Sequence, residues 1–211
     1  MDAEVGSPTP LTITSEEGVT LEAQYWLPED AWATVVLSHP HPQYGGDMHN
    51  PLIDELFRSL PAAGIATLRY NFRGVGGSTG SHGSGVAERL DAAAAFRQAV
   101  ELGVDGPLVS CGWSFGADVS LASDDASLGA WIGIAAPLAI VDPSEMVAPN
   151  DARPTLLLVP EHDQFRTPDS AAEASAGWTS TTLVTIAGGD HFLMGRAAAV
   201  AEQVVGFVSG L

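Results

Sequence analysis

The chain has no lysine, a single cysteine and only eight basic residues, all of them arginine. Its 26 acidic residues leave a formal net charge of −18. Nucleic-acid binding depends on a basic surface that neutralises phosphates, which this composition does not supply. A strongly negative field also repels anionic membranes. We therefore expect neither nucleic acid nor a membrane as a partner, and the oligomeric state stays open.

Long apolar segments are missing as well, and the first residues of the sequence do not resemble an export signal. The longest near-continuous apolar stretch, residues 131–141, is well short of the roughly 20 residues that a membrane helix needs. Residues 1–10 include Asp2 and Glu4 but neither the basic nor the apolar region of a secretory signal. Cys111 has no second cysteine for an intrachain disulfide, which fits a reducing compartment. These observations predict a cytoplasmic protein.

The length and composition are those of one compact domain. A chain of 211 residues with 45% hydrophobic content suffices for one substantial core but hardly for two. Its 23 glycines and 14 prolines divide it into many short elements. We predict a polar tail over residues 1–10 and a single domain over residues 11–211.

The apolar runs and turn residues predict a hairpin followed by alternating strands and helices. Residues 11–15 and 21–27 flank a glycine-containing turn, which is typical of two antiparallel strands. Unbroken β-branched and apolar runs then predict buried strands over residues 34–38, 65–70, 108–111, 130–135, 155–159 and 181–186. Helical patterns follow over residues 51–60, 84–102, 115–123, 168–176 and 196–208. The order indicates an α/β fold: a mostly parallel sheet of about eight strands with helices on both faces.

A serine lies between one of these strands and the next helix, within Gly112-Trp113-Ser114-Phe115-Gly116. On a tight strand-to-helix turn a serine hydroxyl stands above the sheet, and glycines on both sides let neighbouring backbone pass. The five-residue pattern alone is weak, because an ordinary tight turn can carry it. Its position between strand and helix favours Ser114 as a nucleophile.

A serine nucleophile needs a base and an orienting acid, which would follow later strands in the order Ser, Asp, His. Asp163 comes just after the predicted strand at 155–159, and His191 lies between the last strand and the closing helix. Glu161 and Asp142 are alternatives for the acid. No other histidine follows the acid, so His191 is the predicted base.

The oxyanion of the transition state needs two backbone donors. Phe115, the residue after the nucleophile, supplies one N–H, and the loop after the strand at 34–38 must supply the other. Pro40 and Pro42 have no N–H, so His41 is the best-placed donor there, with Tyr44 as a second choice.

The pair His39 and His41 also allows a different interpretation, in which both bind a metal ion of a hydrolase. This alternative lacks a recognisable set of further ligands and leaves the serine motif unexplained. We expect neither a metal nor a cofactor.

With these residues in view, the chain resembles the α/β-hydrolase superfamily over nearly its whole length. Within it, the chain is similar to small bacterial hydrolases related to dienelactone hydrolase and to prolyl-oligopeptidase-type esterases. The similar segments are HPHPQYGGDMHN from His39, TLRYNFRGVGGSTG from Thr67, GWSFGA from Gly112 and GGDHFLMGR from Gly188. The resemblance implies Ser114, Asp163 and His191 as a catalytic triad, with His41 and Phe115 as oxyanion donors. Dienelactone hydrolase itself has a cysteine nucleophile, so its substrate is not implied.

Only residues 137–153 separate the sixth predicted strand from the seventh, where this fold usually inserts a lid. We therefore expect little or no lid and an open site, with Tyr44, Trp113, Phe165 and Met194 as candidate substrate contacts. The predicted function is hydrolysis of a small carboxylic ester, thioester or lactone through an acyl-Ser114 intermediate. The alternative from another class is a non-catalytic protein that binds a ligand in the same cleft.

Overall fold

A computed structural model describes residues 6–211, which contain an eight-stranded sheet. The strands are β1 (Thr9–Thr14), β2 (Thr20–Trp26), β3 (Ala33–Ser38), β4 (Ile65–Tyr70), β5 (Leu108–Trp113), β6 (Leu128–Ile134), β7 (Thr155–Pro160) and β8 (Thr181–Ile186). Their order in the sheet is β1-β2-β4-β3-β5-β6-β7-β8. β1 pairs antiparallel with β2, and β2 pairs antiparallel with β4, whereas all other neighbours are parallel. The predicted hairpin and the mostly parallel sheet are confirmed.

Five α-helices within residues 6–211 cover the two faces of the sheet. They are α1 (Pro51–Ser59), α2 (Glu88–Glu101), α3 (Phe115–Ala122), α4 (Pro168–Ser175) and α5 (Ala197–Val208). The apolar side chains of α1 and α5 share one core cluster, while those of α2, α3 and α4 belong to the cluster on the opposite face. Every residue of β3, β4, β5 and β7 is buried, because helices lie on both sides of these strands.

Several element boundaries differ from the predictions, by as much as four residues at α2. β1 begins at Thr9 rather than at residue 11. α2 begins at Glu88 rather than at residue 84, because Ser84 and Gly85 have φ values of 56° and 90°, in the left-handed region that ends a right-handed helix. The Glu88 carboxylate instead accepts hydrogen bonds from the N–H groups of Gly83 and Gly85, at 2.7 and 2.8 Å.

The division of the chain into a tail and one domain stays a prediction. Residues 1–5 of that tail lie outside the described residues, and Thr9 and Pro10 already belong to β1.

The segment between β6 and β7 contains two short 3-10 turns, Pro143–Glu145 and Ala148–Asn150, instead of a lid domain. The predicted minimal lid is therefore confirmed. Over residues 6–211, the helices are all too short or too polar to cross a bilayer. The carboxyl ends of the six parallel strands reach one edge of the sheet, which is where ligands of such sheets bind.

Candidate active site

Ser114 lies between the last residue of β5 and the first residue of α3, in a backbone conformation that non-glycine residues rarely adopt, with φ 55° and ψ −118°. The flanking glycines make this turn possible. A Cβ on Gly112 would overlap the carbonyl oxygen of Gly116, and a Cβ on Gly116 would overlap the carbonyl oxygen of Ser38. Close backbone contacts therefore require glycine at both positions of the motif.

His191 joins Ser114 to Asp163 through its two ring nitrogens. Its Nε2 lies 2.9 Å from Ser114 Oγ, and its Nδ1 lies 2.8 Å from Asp163 Oδ2. Asp163 and His191 are both buried, and Ser114 is half-buried. An ionised carboxylate only accepts hydrogen bonds, so Nδ1 carries the proton and Nε2 presents its lone pair to the serine hydroxyl.

The hydrogen bonds around Asp163 keep this carboxylate ionised. Burial alone would raise the pKa of Asp163, but the hydrogen bond from His191 and those from the N–H groups of Phe165 and Arg166 outweigh it. The resulting pKa lies below the ordinary value for aspartate. A charged carboxylate thus faces the imidazole over the neutral pH range.

The other acidic candidates lie in different contacts. Glu161 Oε2 accepts the N–H of Gly188 at 2.7 Å, and Asp142 caps its own turn by accepting from the N–H and Oγ of Ser144. Of these three acids, only Asp163 hydrogen-bonds to His191.

The backbone N–H groups of His41 and Phe115 hydrogen-bond to no acceptor among the described residues. The N–H of Tyr44, the second choice for this role, donates to the carbonyl of His41 at 3.1 Å and is therefore occupied. The ring of His41 packs against that of Phe115, with 4.9 Å between the centroids. This contact links the loop after β3 to the start of α3.

The side chain of His39 is fully buried. Its Nε2 accepts the N–H of Phe72 at 3.0 Å, and its Nδ1 lies 2.7 Å from the carbonyl of Pro40. Burial lowers the pKa of His39 to about 4. Both nitrogens are thus engaged, which argues against the metal interpretation of His39 and His41. Residues 6–211 contain no group of three or more acidic, histidine or cysteine side chains arranged to hold a metal ion.

A cleft of about 690 Å³ opens above Ser114 and His191. Tyr44, Trp113 and Phe165 line it, as the sequence predicts. Met194 does not: it is 73% exposed and lies outside the lining. Six further residues line the cleft that the sequence does not single out as site residues, namely Pro40, Gly46, Asn50, Pro137, Ile140 and Phe192. For Phe192 a signal exists, because it directly follows His191 in the chain.

Solved structures similar to this one include α/β hydrolases. An α/β serine hydrolase homologue from Coxiella burnetii is 27% identical, with a TM-score of 0.83 and coverage of 93% of this chain and 95% of that one. An α/β serine hydrolase without a lid from Xanthomonas campestris is 29% identical, with a TM-score of 0.81 and coverage of 93% and 91%. The chain belongs to the α/β-hydrolase superfamily. These neighbours support a hydrolase activity for this α/β-hydrolase.

Two further matches are lower in identity or cover less of the chain, and they carry less information about function. An esterase of Pyrococcus furiosus, 16% identical, shares the α/β-hydrolase fold with a TM-score of 0.80 over 97% of this chain and 92% of that one. An uncharacterized protein of Rickettsia prowazekii is 48% identical over 58 residues, which are 28% of this chain and 24% of that protein. The match therefore spans about a quarter of the relative's length. No family model matches the chain.

Proposed function

We propose that this α/β-hydrolase is a serine hydrolase that cleaves a small carboxylic ester, thioester or lactone through an acyl-Ser114 intermediate. The observation that carries the proposal is the continuous chain of contacts from Ser114 Oγ through His191 to Asp163, at 2.9 and 2.8 Å. A base in hydrogen-bond contact with a hydroxyl, itself oriented by a carboxylate, is the arrangement that activates a serine.

In the acylation step, His191 Nε2 takes the proton of Ser114 Oγ while the oxygen attacks the substrate carbonyl carbon. The carbonyl oxygen becomes negatively charged and accepts hydrogen bonds from the free N–H groups of His41 and Phe115. The bond to the leaving group then breaks, and His191 gives its proton to the departing oxygen or sulfur. The acyl group stays on Ser114.

In the second step, His191 takes a proton from a water molecule, and the resulting hydroxide attacks the acyl carbon. Ser114 Oγ leaves and recovers the proton from His191. Asp163 remains ionised throughout, because its hydrogen bonds favour the charged form, and it stabilises the imidazolium that forms in each step. No step requires a metal ion or an organic cofactor.

The absence of a lid domain between β6 and β7 supports a small substrate, or an acyl group presented on a larger carrier. Tyr44, Trp113 and Phe165 would contact that substrate in the cleft. The cytoplasmic location remains a prediction.

The proposal is tested by treating the protein with a fluorophosphonate and by assaying short p-nitrophenyl esters, thioesters and lactones. We expect stoichiometric labelling of Ser114, and a Ser114→Ala variant should lose labelling and lower kcat by as much as ~10⁶. Ser127→Ala is the control, because Ser127 is exposed and its hydroxyl donates a hydrogen bond to Asp125, away from the cleft lining.

Turnover that survives in Ser114→Ala and disappears with a chelator would instead favour a metal-dependent hydrolase. Tight ligand binding without labelling or turnover would favour a non-catalytic binding protein.

A further inference from the structure

Two exposed phenylalanine rings flank the histidine of the candidate triad. The ring centroid of Phe165 lies 4.5 Å from that of His191, and the centroid of Phe192 lies 5.8 Å away. Both rings line the cleft, and they are 63% and 55% exposed. Large apolar side chains that meet at one concave site and stay in water are typical of a ligand contact, since binding would bury them.

Each ring is tied by its backbone to the loop that carries a triad residue. The N–H of Phe165 donates to Asp163 Oδ1 at 2.7 Å, two residues after the acid. The N–H of Phe192 donates to Asp190 Oδ1 at 3.1 Å, directly after the base. The positions of the two rings are therefore coupled to the geometry of the acid and the base.

The proposed chemistry decides which part of a substrate these rings meet. His191 Nε2 must hand a proton to the leaving oxygen, so this oxygen lies within hydrogen-bond distance of the imidazole. The carbonyl oxygen, in contrast, points to the N–H groups of His41 and Phe115. The carbon skeleton attached to the leaving oxygen therefore departs past His191, next to Phe165 and Phe192.

The charge of the cleft also restricts the charge of the leaving group. No arginine is among its lining residues, and the chain has no lysine. Arg166 directly follows Phe165 in the chain, but its guanidinium donates a hydrogen bond to the carbonyl of Pro137 at 2.8 Å instead of lining the cleft. With a net charge of −18, the protein offers an anionic leaving group no counter-charge in the cleft.

We propose that Phe165 and Phe192 form a leaving-group site for an uncharged aromatic alcohol or phenol. This inference rests on the proposed serine hydrolase function. The ester C–O bond breaks, the leaving oxygen receives the proton that His191 took from Ser114, and water then releases the acid. The products are one carboxylic acid and one aromatic alcohol per ester and water consumed.

The test compares benzyl acetate with n-propyl acetate, which share the acyl group and have alcohols of similar acidity. The quantity measured is the ratio of kcat/KM for the two esters, which reports acylation and cancels general damage to the triad. In the Phe165→Ala, Phe192→Ala double variant we expect this ratio to fall about tenfold, since contacts between aromatic rings are lost. Met194→Ala is the control, because Met194 lies in the loop of Phe192 and is exposed but does not line the cleft. This variant should keep the wild-type ratio.

A double variant whose ratio stays within twofold of the wild type, while its fluorophosphonate labelling rate is intact, would overturn the leaving-group site and leave the serine hydrolase proposal standing. The wild type should also prefer benzyl acetate over its 4-carboxybenzyl analogue by at least tenfold at low salt, and equal rates would overturn the charge selectivity. Labelling of Ser114 without turnover of benzyl acetate would refute this inference alone. Absence of both labelling and turnover would refute the proposed function together with it.

Discussion

The indole Nε1 of Trp113 donates a hydrogen bond to the backbone carbonyl of His191 across 3.2 Å. Trp113 is the last residue of β5, directly before Ser114, and His191 lies in the loop after β8. The bond is buried, and it joins the two segments that carry the candidate nucleophile and base. The distance between Ser114 Oγ and His191 Nε2 thus depends on a side chain outside the triad.

Replacing Trp113 by phenylalanine removes this donor and keeps an aromatic ring. We expect kcat for a short ester to fall about fivefold, which corresponds to the loss of one ordinary hydrogen bond. Trp131→Phe is a matched control, because the buried Trp131 donates to the carbonyl of Ser123 at 3.1 Å and does not line the cleft. Both variants should lose stability in urea denaturation, but only Trp113→Phe should lower kcat. Equal kcat values for the two would contradict a positioning role of Trp113.

Asp163→Asn replaces the carboxylate by an amide of the same shape. An amide does not enforce the Nδ1–H tautomer of His191, so we expect kcat to fall on the order of 10³–10⁴-fold. Steady-state kinetics with a p-nitrophenyl ester measures the effect. Asp142→Asn, at an exposed acid that caps its own turn, should stay within twofold of the wild type. If Asp142→Asn or Glu161→Gln were the damaging change, the assignment of the acid would be wrong.

Gly116→Ala tests the close contact between α3 and the end of β3. The added Cβ would overlap the carbonyl oxygen of Ser38, which belongs to the backbone and has little room to move. We expect the free energy of unfolding to drop by about 2 kcal/mol, as for other overpacked sites, and the ester activity to fall. Gly206→Ala in α5 meets nothing within 4 Å and should stabilise the protein by about 0.5–1 kcal/mol. Urea denaturation of both variants measures these changes. An unchanged free energy of unfolding in Gly116→Ala would argue against the close contact with Ser38.

The burial of His39 makes the folding stability of the protein depend on pH. Burial lowers its pKa to about 4 in the folded chain, whereas the ordinary value is about 6.5. Between these values the unfolded chain binds a proton at His39 and the folded chain does not, so stability falls as the pH decreases from about 6.5 toward about 4. The slope from this residue approaches about 1.4 kcal/mol per pH unit.

Urea denaturation at several pH values measures that slope. His39→Gln should be less stable at pH 7, because the N–H of Phe72 loses the imidazole nitrogen that accepts it in a fully buried site, but should show a shallower decline on the acid side. His49→Gln, at an exposed position, should keep the wild-type slope. A His39→Gln profile parallel to that of the wild type would contradict the burial argument.

Much of the architecture and of the candidate site follows from local patterns in the sequence. The Gly112-to-Gly116 motif lies between an apolar β-branched run and a helical pattern, and β5 and α3 form where these patterns predict them. Asp163 and His191 follow the last two strands, and in a parallel sheet the ends of such strands meet at one edge. Their proximity to Ser114 is therefore a consequence of element order.

The choice among neighbouring side chains was decided only by the tertiary structure. Glu161 and Asp163 are two residues apart in one loop, yet only Asp163 faces His191, because the backbone of the loop sets the side-chain directions. For the same reason Phe192 lines the cleft and Met194, two residues later, does not.

Long-range contacts leave no local pattern in a single sequence. Asp118, on α3, accepts hydrogen bonds from the N–H groups of Leu138, Ala139 and Ile140 and so fixes the loop after β6, of which Ile140 lines the cleft. In the sequence Asp118 is only an acid in an apolar helix. Spacing along the chain determined which elements form and where their ends meet, whereas the packing of loops from distant segments determined which side chains share the site.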